Sequence, residues 1–122
     1  MKREIPKELL KGSLKSIVLK LLAENDQMYG YEITQKVEKM TGGKIQLTYG
    51  ALYPILHKLE KEGSLITESK IVRNRNRIYY KLTPKGKSLA AEKIEELKEF
   101  IETIRILLQP QASLQYVPIK SE

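Results

Sequence analysis

Residues 48–63 read TYGALYPILHKLEKEG, and the spacing within them sets what the rest of the chain must build. Leu52, Ile55, Leu56 and Leu59 recur at offsets of three, four and seven, which return to one side of a helix and mark a face meant for a core. Thr48 stands where a hydroxyl can cap the free amides of a helix start. Gly63 supplies a stop just past Glu62. The opposite side of a regular helix presents Gly50, Pro54, His57, Lys58 and Lys61, with Tyr49 and Tyr53 on its flank. That side mixes bare backbone, aromatic rings and cations, the groups that meet phosphates and base edges when a helix enters a DNA major groove. Pro54 would ordinarily cost a helix interior about 3 kcal/mol, so it marks a strained or late-starting helix.

Upstream, Pro6 opens a pattern over residues 7–24 that sets Leu10, Leu14, Ile17, Val18, Leu21 and Leu22 on one face and Lys11, Lys15 and Lys20 elsewhere. A polar break at residues 25–27 precedes a second helix starting at Tyr29 or Gly30, with Ile33, Val37 and Met40 at helical spacing. Thr41, Gly42 and Gly43 end it. Residues 45–48 read as a short extended stretch. Downstream, residues 64–72 and 77–82 are β-like runs separated by Arg73-Asn74-Arg75-Asn76, with Asn74 and Asn76 expected to make the turn. Thr83 then caps, and Pro84 opens, a last helix running to about Leu108, with Pro110 beyond it. Helix, helix, helix, hairpin, helix is the order of a winged helix-turn-helix: mainly α, with a small β-hairpin wing and a long C-terminal helix.

Charge is divided along the chain. The net charge is +7 over 122 residues, but residues 1–87 carry 18 Lys and Arg against 9 Asp and Glu, while residues 88–122 carry 4 against 6. A basic domain followed by a mildly acidic segment suits a polyanion for the first and a protein partner for the second. The absence of cysteine excludes disulfides, thiolate zinc sites and cysteine nucleophiles. The one histidine, His57, argues against a histidine-based metal site or a catalytic triad. No paired carboxylates in an apolar setting and no phosphate-cradling glycine loop point to an enzyme. Every apolar run is soon interrupted by Lys or Glu, so neither a signal peptide nor a membrane span is expected, and the chain reads as soluble and cytoplasmic.

The wing carries Lys70, Arg73, Arg75 and Arg77 with no acidic residue between Lys70 and Tyr80. Three guanidinium groups near one turn tip repel each other, and a DNA backbone or an adjacent minor groove is the natural compensation. On the last helix, Ala90, Ile94, Leu97, Ile101, Ile104 and Leu108 step by four, three, four, three and four, an a/d seam that Phe100 and Leu107 broaden. So wide an apolar stripe on a helix leaving a small domain is expected to meet a second copy of the chain. Glu92, Glu95, Glu96, Glu99 and Glu102 are expected to solvate its outer face. The organisation expected is a winged-helix DNA-binding domain over residues 1–83, a dimerisation helix over 84–108 and a flexible tail over 109–122.

Together, residues 48–63, the preceding MYGYEI (residues 28–33) and RNRIYYKLTPKG (residues 75–86) resemble the PadR-like family of winged-helix regulators, the likeness spanning residues 5–108. The resemblance implies a homodimer joined through the C-terminal helix, a recognition helix in the major groove and a wing on the backbone. It places Tyr49, Tyr53, His57 and Lys58 in the recognition motif, Arg75 and Arg77 in the basic wing, and Lys36 as a further phosphate contact. A single C-terminal helix is similar to the family's smaller subtype. Family wings commonly have a glycine before the basic cluster, and members that sense aromatic drugs have a tryptophan near the position of Leu97; this chain has neither.

The expectation is a sequence-specific, duplex-DNA-binding regulator, by analogy a repressor, whose dimer reads two half-sites about one helical turn, about 34 Å, apart on a pseudo-palindromic operator. Thr48, Gly50, Lys61 and Arg73 complete its expected DNA contacts. No metal or cofactor is expected. A small-molecule effector or partner, of unspecified identity, would act by changing the splay of the two C-terminal helices.

Overall fold

A computed structural model describes residues 3–111. The tail expected over residues 109–122 lies, from residue 112 onward, outside the described residues. The chain runs α1 (Lys7–Leu10), α2 (Leu14–Glu24), β1 (Met28–Tyr29), α3 (Gly30–Met40), α4 (Tyr49–Lys61), β2 (Leu65–Val72), β3 (Arg75–Leu82) and α5 (Pro84–Leu107). The three strands form one antiparallel sheet in the order β1-β3-β2. This is the mainly helical winged helix-turn-helix with a long C-terminal helix that the sequence pattern implies.

Three local features differ from the sequence reading. The helix expected over 7–24 breaks between Leu10 and Leu14, where Gly12 and Ser13 are weak helix formers and the Ser13 amide bonds back only three residues, to Leu10. Of the two starts expected for the second helix the structure takes Gly30, and Tyr29 before it closes an unforeseen two-residue strand pairing Met28 with Tyr80 and itself with Tyr79. So short a strand has no periodicity to read. The stretch over residues 45–48 joins no sheet, and Thr48 at its end is extended. The hairpin turn is two residues rather than four: Arg73 and Asn74, at φ 52° and 62°, both take the left-handed conformation a tight type I′ turn requires. Asn76 is therefore a strand residue opposite Ile71, its carboxamide oxygen accepting from the Ser69 hydroxyl.

The core gathers Val18, Leu19, Leu21 and Leu22 of α2, Ile33 and Val37 of α3, Leu52, Leu56 and Leu59 of α4, and Leu65, Tyr80 and Leu82 of the sheet. Each such burial is worth about 1.5–3 kcal/mol, enough for three short helices to hold one another. Ile55 packs at the edge of this cluster. Met40, at helical spacing with Ile33 and Val37, ends its helix 62% exposed. Within the helix-turn-helix, α3 ends on Thr41, whose hydroxyl donates to the Val37 carbonyl and accepts from the Ile45 amide. At the other end of α3, Gly30 lies under Tyr53: a Cβ there would run into the phenol.

The end of α4 is fastened to the start of α5. The Thr83 hydroxyl caps α5 by accepting from the Gly86 amide at 3.0 Å and donates to the Gly63 carbonyl at 2.7 Å. Lys85 Nζ donates to the Glu62 carbonyl at 2.6 Å, and the Thr83 amide to the Ser64 carbonyl at 3.0 Å. Gly86 lies so close to that Ser64 carbonyl that no side chain fits between them. Orientation of α4 and direction of α5 are thus fixed to one another by four short contacts.

Candidate nucleic-acid interface

At the start of α4 the Thr48 hydroxyl accepts from the Ala51 amide at 3.2 Å, which sets the helix to begin at Tyr49 rather than late. Pro54 is accommodated inside it, on the exposed side. Tyr49, Tyr53 and His57, each four residues on, form a ladder of rings with centroids 5.6 and 5.8 Å apart. Tyr53 is half-buried against the core, so it supports the helix as well as flanking its outer face. Thr48, Tyr49, Gly50, His57, Lys58 and Lys61 are exposed, and Lys36 is exposed on α3. A Cβ at Gly50 would meet only the Thr48 hydroxyl, at 4.0 Å, so the bare backbone there is uncrowded.

The wing arginines do not stay together. Arg73 occupies the turn itself, and Arg75 and Arg77 lie on one face of β3 with Tyr79. Arg73 and Arg75 are exposed; Arg77 is partly covered, its guanidinium 4.4 Å above the ring of Tyr29. The Tyr79 hydroxyl, and more weakly Tyr29 and Glu32, favour its charged form and raise its pKa. Lys70, across the sheet from Arg77, lies 5.0 Å from the Tyr79 ring, which meets the Tyr29 ring edge-on. Sequence reasoning missed this tyrosine cluster, because only the pairing of β1 with β3 brings residue 29 to residue 79. The alternation of Arg75, Arg77 and Tyr79 along a strand was the one local sign that they share a face.

Ion pairing divides the surface. Among the described residues, the salt bridges are Lys20–Glu24 on α2, Lys81–Asp26 at the sheet's base, and Lys93–Glu96, Lys98–Glu95 and Arg105–Glu102 on α5. None of Lys36, Lys58, Lys61, Lys70, Arg73, Arg75 and Arg77 pairs with a carboxylate. The helix-turn-helix and wing tip therefore present cations without carboxylate partners, while Lys93, Lys98 and Arg105 of the last helix each pair with one of its acids; Arg105 holds the Glu102 carboxyl below its usual range.

The stripe on α5 is divided too. Ala90, placed by spacing in the intersubunit seam, is 1% exposed inside its own domain's core, a correction that follows from α5 packing back on α2. Ile94, Leu97 and Ile104 are half-buried. Phe100, Ile101, Leu107 and Leu108, together with Ile106, which the seam pattern omitted, are 54–77% exposed. Among the described residues no group of acidic, histidine or cysteine side chains could hold a metal ion, and no helix is long and apolar enough to cross a membrane.

A three-helix core, a two-residue wing turn and an exposed cationic second helix define the winged-helix DNA-binding class. Residues 18–92 match the model of the transcriptional regulator PadR-like family, and the chain belongs to that family. It is 31% identical over 103 residues to an uncharacterized protein of Lysinibacillus sphaericus, covering 84% of this chain and 94% of that protein. It is 29% identical over 98 residues to the transcriptional regulator Rv3488 of Mycobacterium tuberculosis, covering 80% and 88%. Among solved structures, a transcriptional regulator from Clostridium thermocellum superposes with a TM-score of 0.75 at 27% identity, covering 84% of this chain and 99% of that one. A PadR-like regulator from Bacillus cereus does so at 0.70 and 28%, covering 84% and 98%. The family is one of DNA-binding transcriptional regulators and not of enzymes.

Proposed function

We propose that this protein is a cytoplasmic repressor that binds a pseudo-palindromic operator as a homodimer, with α4 of each subunit in the major groove and the wing on the flanking backbone or minor groove. The observation that carries this reading is that the exposed cations of α4 and the wing tip, Lys58, Lys61, Arg73 and Arg75, have no carboxylate partner among the described residues. Arg73 adds to it. An arginine in the left-handed region costs about 1–2 kcal/mol where asparagine or glycine would serve, a cost that placing a guanidinium at the wing tip would offset.

Tyr49, Tyr53 and His57 face the base edges, Gly50 lets the helix approach closely, and Thr48, Lys36, Lys58 and Lys61 meet phosphates. Arg73 and Arg75 extend from the wing, and Arg77 reaches the backbone from the sheet. The dimer seam uses Phe100, Ile101, Ile104, Leu107 and Leu108, with the outer edges of Ile94 and Leu97. An effector that changes the angle between the two α5 helices moves the recognition helices with it, since Thr83, Lys85 and Gly86 lock α5 to α4. Repression as the sign of regulation follows the family by analogy.

The test is a fluorescence-anisotropy titration against a duplex that the protein enriches from a randomised pool, with unrelated duplex as competitor. Tight binding that resists competitor and weakens steeply with salt supports the proposal; equal affinity for unrelated duplex refutes it.

A further inference from the structure

We propose that α1 is a second, separate grip on the DNA backbone, made by Lys7 and Lys11 beside the start of the recognition helix. This rests on the DNA-binding reading and adds a surface to it. Helix α1 contributes no buried residue to the fold, yet it is held in place: the Ile5 amide just before it donates to the Lys44 carbonyl at 2.7 Å, tying it to the loop that leads into α4. Lys7 and Lys11 are four residues apart and so share one side. Both are exposed, and neither pairs with a carboxylate.

The groove between this side and α4, about 500 Å³, has apolar walls of Leu10, Leu14, Leu47 and Ala51. Lys7, Lys11, Gln46, Thr48 and Gly50 are its exposed lining, with Glu8 as its one acidic group. Glu8 also borders the groove on α1's other flank, next to Leu9 and Phe100, so the balance facing α4 is positive. The surface is continuous with Thr48 and Gly50 at the start of the recognition helix. A polyanion lying along α4 therefore runs past two ammonium groups with no internal partner, and the phosphodiester backbone just outside the groove that α4 reads is the occupant these charges fit.

The experiment compares wild type with Lys7→Gln/Lys11→Gln on the selected duplex at several salt concentrations. Each phosphate contact contributes about 0.9 to the slope of log affinity against log salt, so losing four per dimer flattens it by about 3.6. Hydroxyl-radical cleavage of the backbone at the edges of the footprint should rise at the same time, with the thermal midpoint unchanged. Lys93→Gln/Lys98→Gln removes equal charge from α5 and should leave slope and footprint alone. An unaltered slope in the α1 variant, or the same flattening in the α5 variant, overturns the proposal while the DNA-binding reading stands. Wild-type binding that shows no salt dependence defeats both.

Discussion

Gly86→Ala should destabilise the protein although it removes a glycine from a helix. In an open helix the change would gain about 1 kcal/mol from lower unfolded-state freedom. Here the new methyl would run into the Ser64 carbonyl oxygen and approach Leu82 Cδ2 to 3.0 Å. Forcing a methyl into a packed site costs about 1–3 kcal/mol, and shifting α5 to relieve it weakens the Thr83 cap by about 1 kcal/mol more. The net loss is about 1–3 kcal/mol, read as a drop of roughly 1 M in the urea midpoint at fixed protein concentration for a slope of about 1–3 kcal/mol per molar. Gly12→Ala, with nothing within 4 Å of the new methyl, is the comparison and should leave the midpoint level or higher. A Gly86→Ala midpoint equal to or above wild type would refute the steric reasoning, and equal falls in both variants would refute its location.

On the recognition helix, Gly50→Ala should raise stability by about 1 kcal/mol and weaken operator binding at least about tenfold, because the added methyl makes only an ordinary contact with the Thr48 hydroxyl in the free protein but meets the groove wall in the complex. Unchanged anisotropy affinity would show that α4 does not approach DNA there. Burial pushes the Tyr80 hydroxyl above its ordinary 10.0. Its folded pKa therefore exceeds the unfolded one, and its contribution to stability is intact below about pH 10 and lost as pH rises through the folded value. Tyr80→Phe should accordingly show a shallower alkaline fall in thermal midpoint than wild type; parallel curves would contradict the linkage. Ile101→Glu, at a side chain 57% exposed in the single chain, should leave the circular dichroism intact while sedimentation velocity reports a monomer. A persistent dimer would move the interface off this part of α5.

The helices that build the core were legible because leucine and isoleucine spacing is local: it marked most of the buried sides of α2, α3 and α4, though not Leu19. The Tyr49–Tyr53–His57 ladder was not read as one, since His57 was placed on the outer side with the tyrosines on its flank, although a four-residue period is all it needs. What else escaped was set by tertiary context. Met28 and Tyr29 look like the approach to a helix until β3 pairs with them. Arg73 is not a residue that announces a left-handed turn, and the strands on either side force it there. A heptad spacing states that Ala90 is on the apolar stripe of α5 without saying whether α2 or a second subunit covers it; α2 does. The site was visible as residue types, whereas the separation of Arg77 from Arg73 and Arg75 required the sheet.

Amide chemical shifts of the labelled protein, followed during titration with the selected duplex, address the interface most directly. Changes should concentrate in residues 48–61 and 73–77 and leave the acidic outer face of α5 near Glu92, Glu95 and Glu99 unmoved. Changes centred on α5, with residues 48–61 silent, would contradict a DNA-reading role for α4.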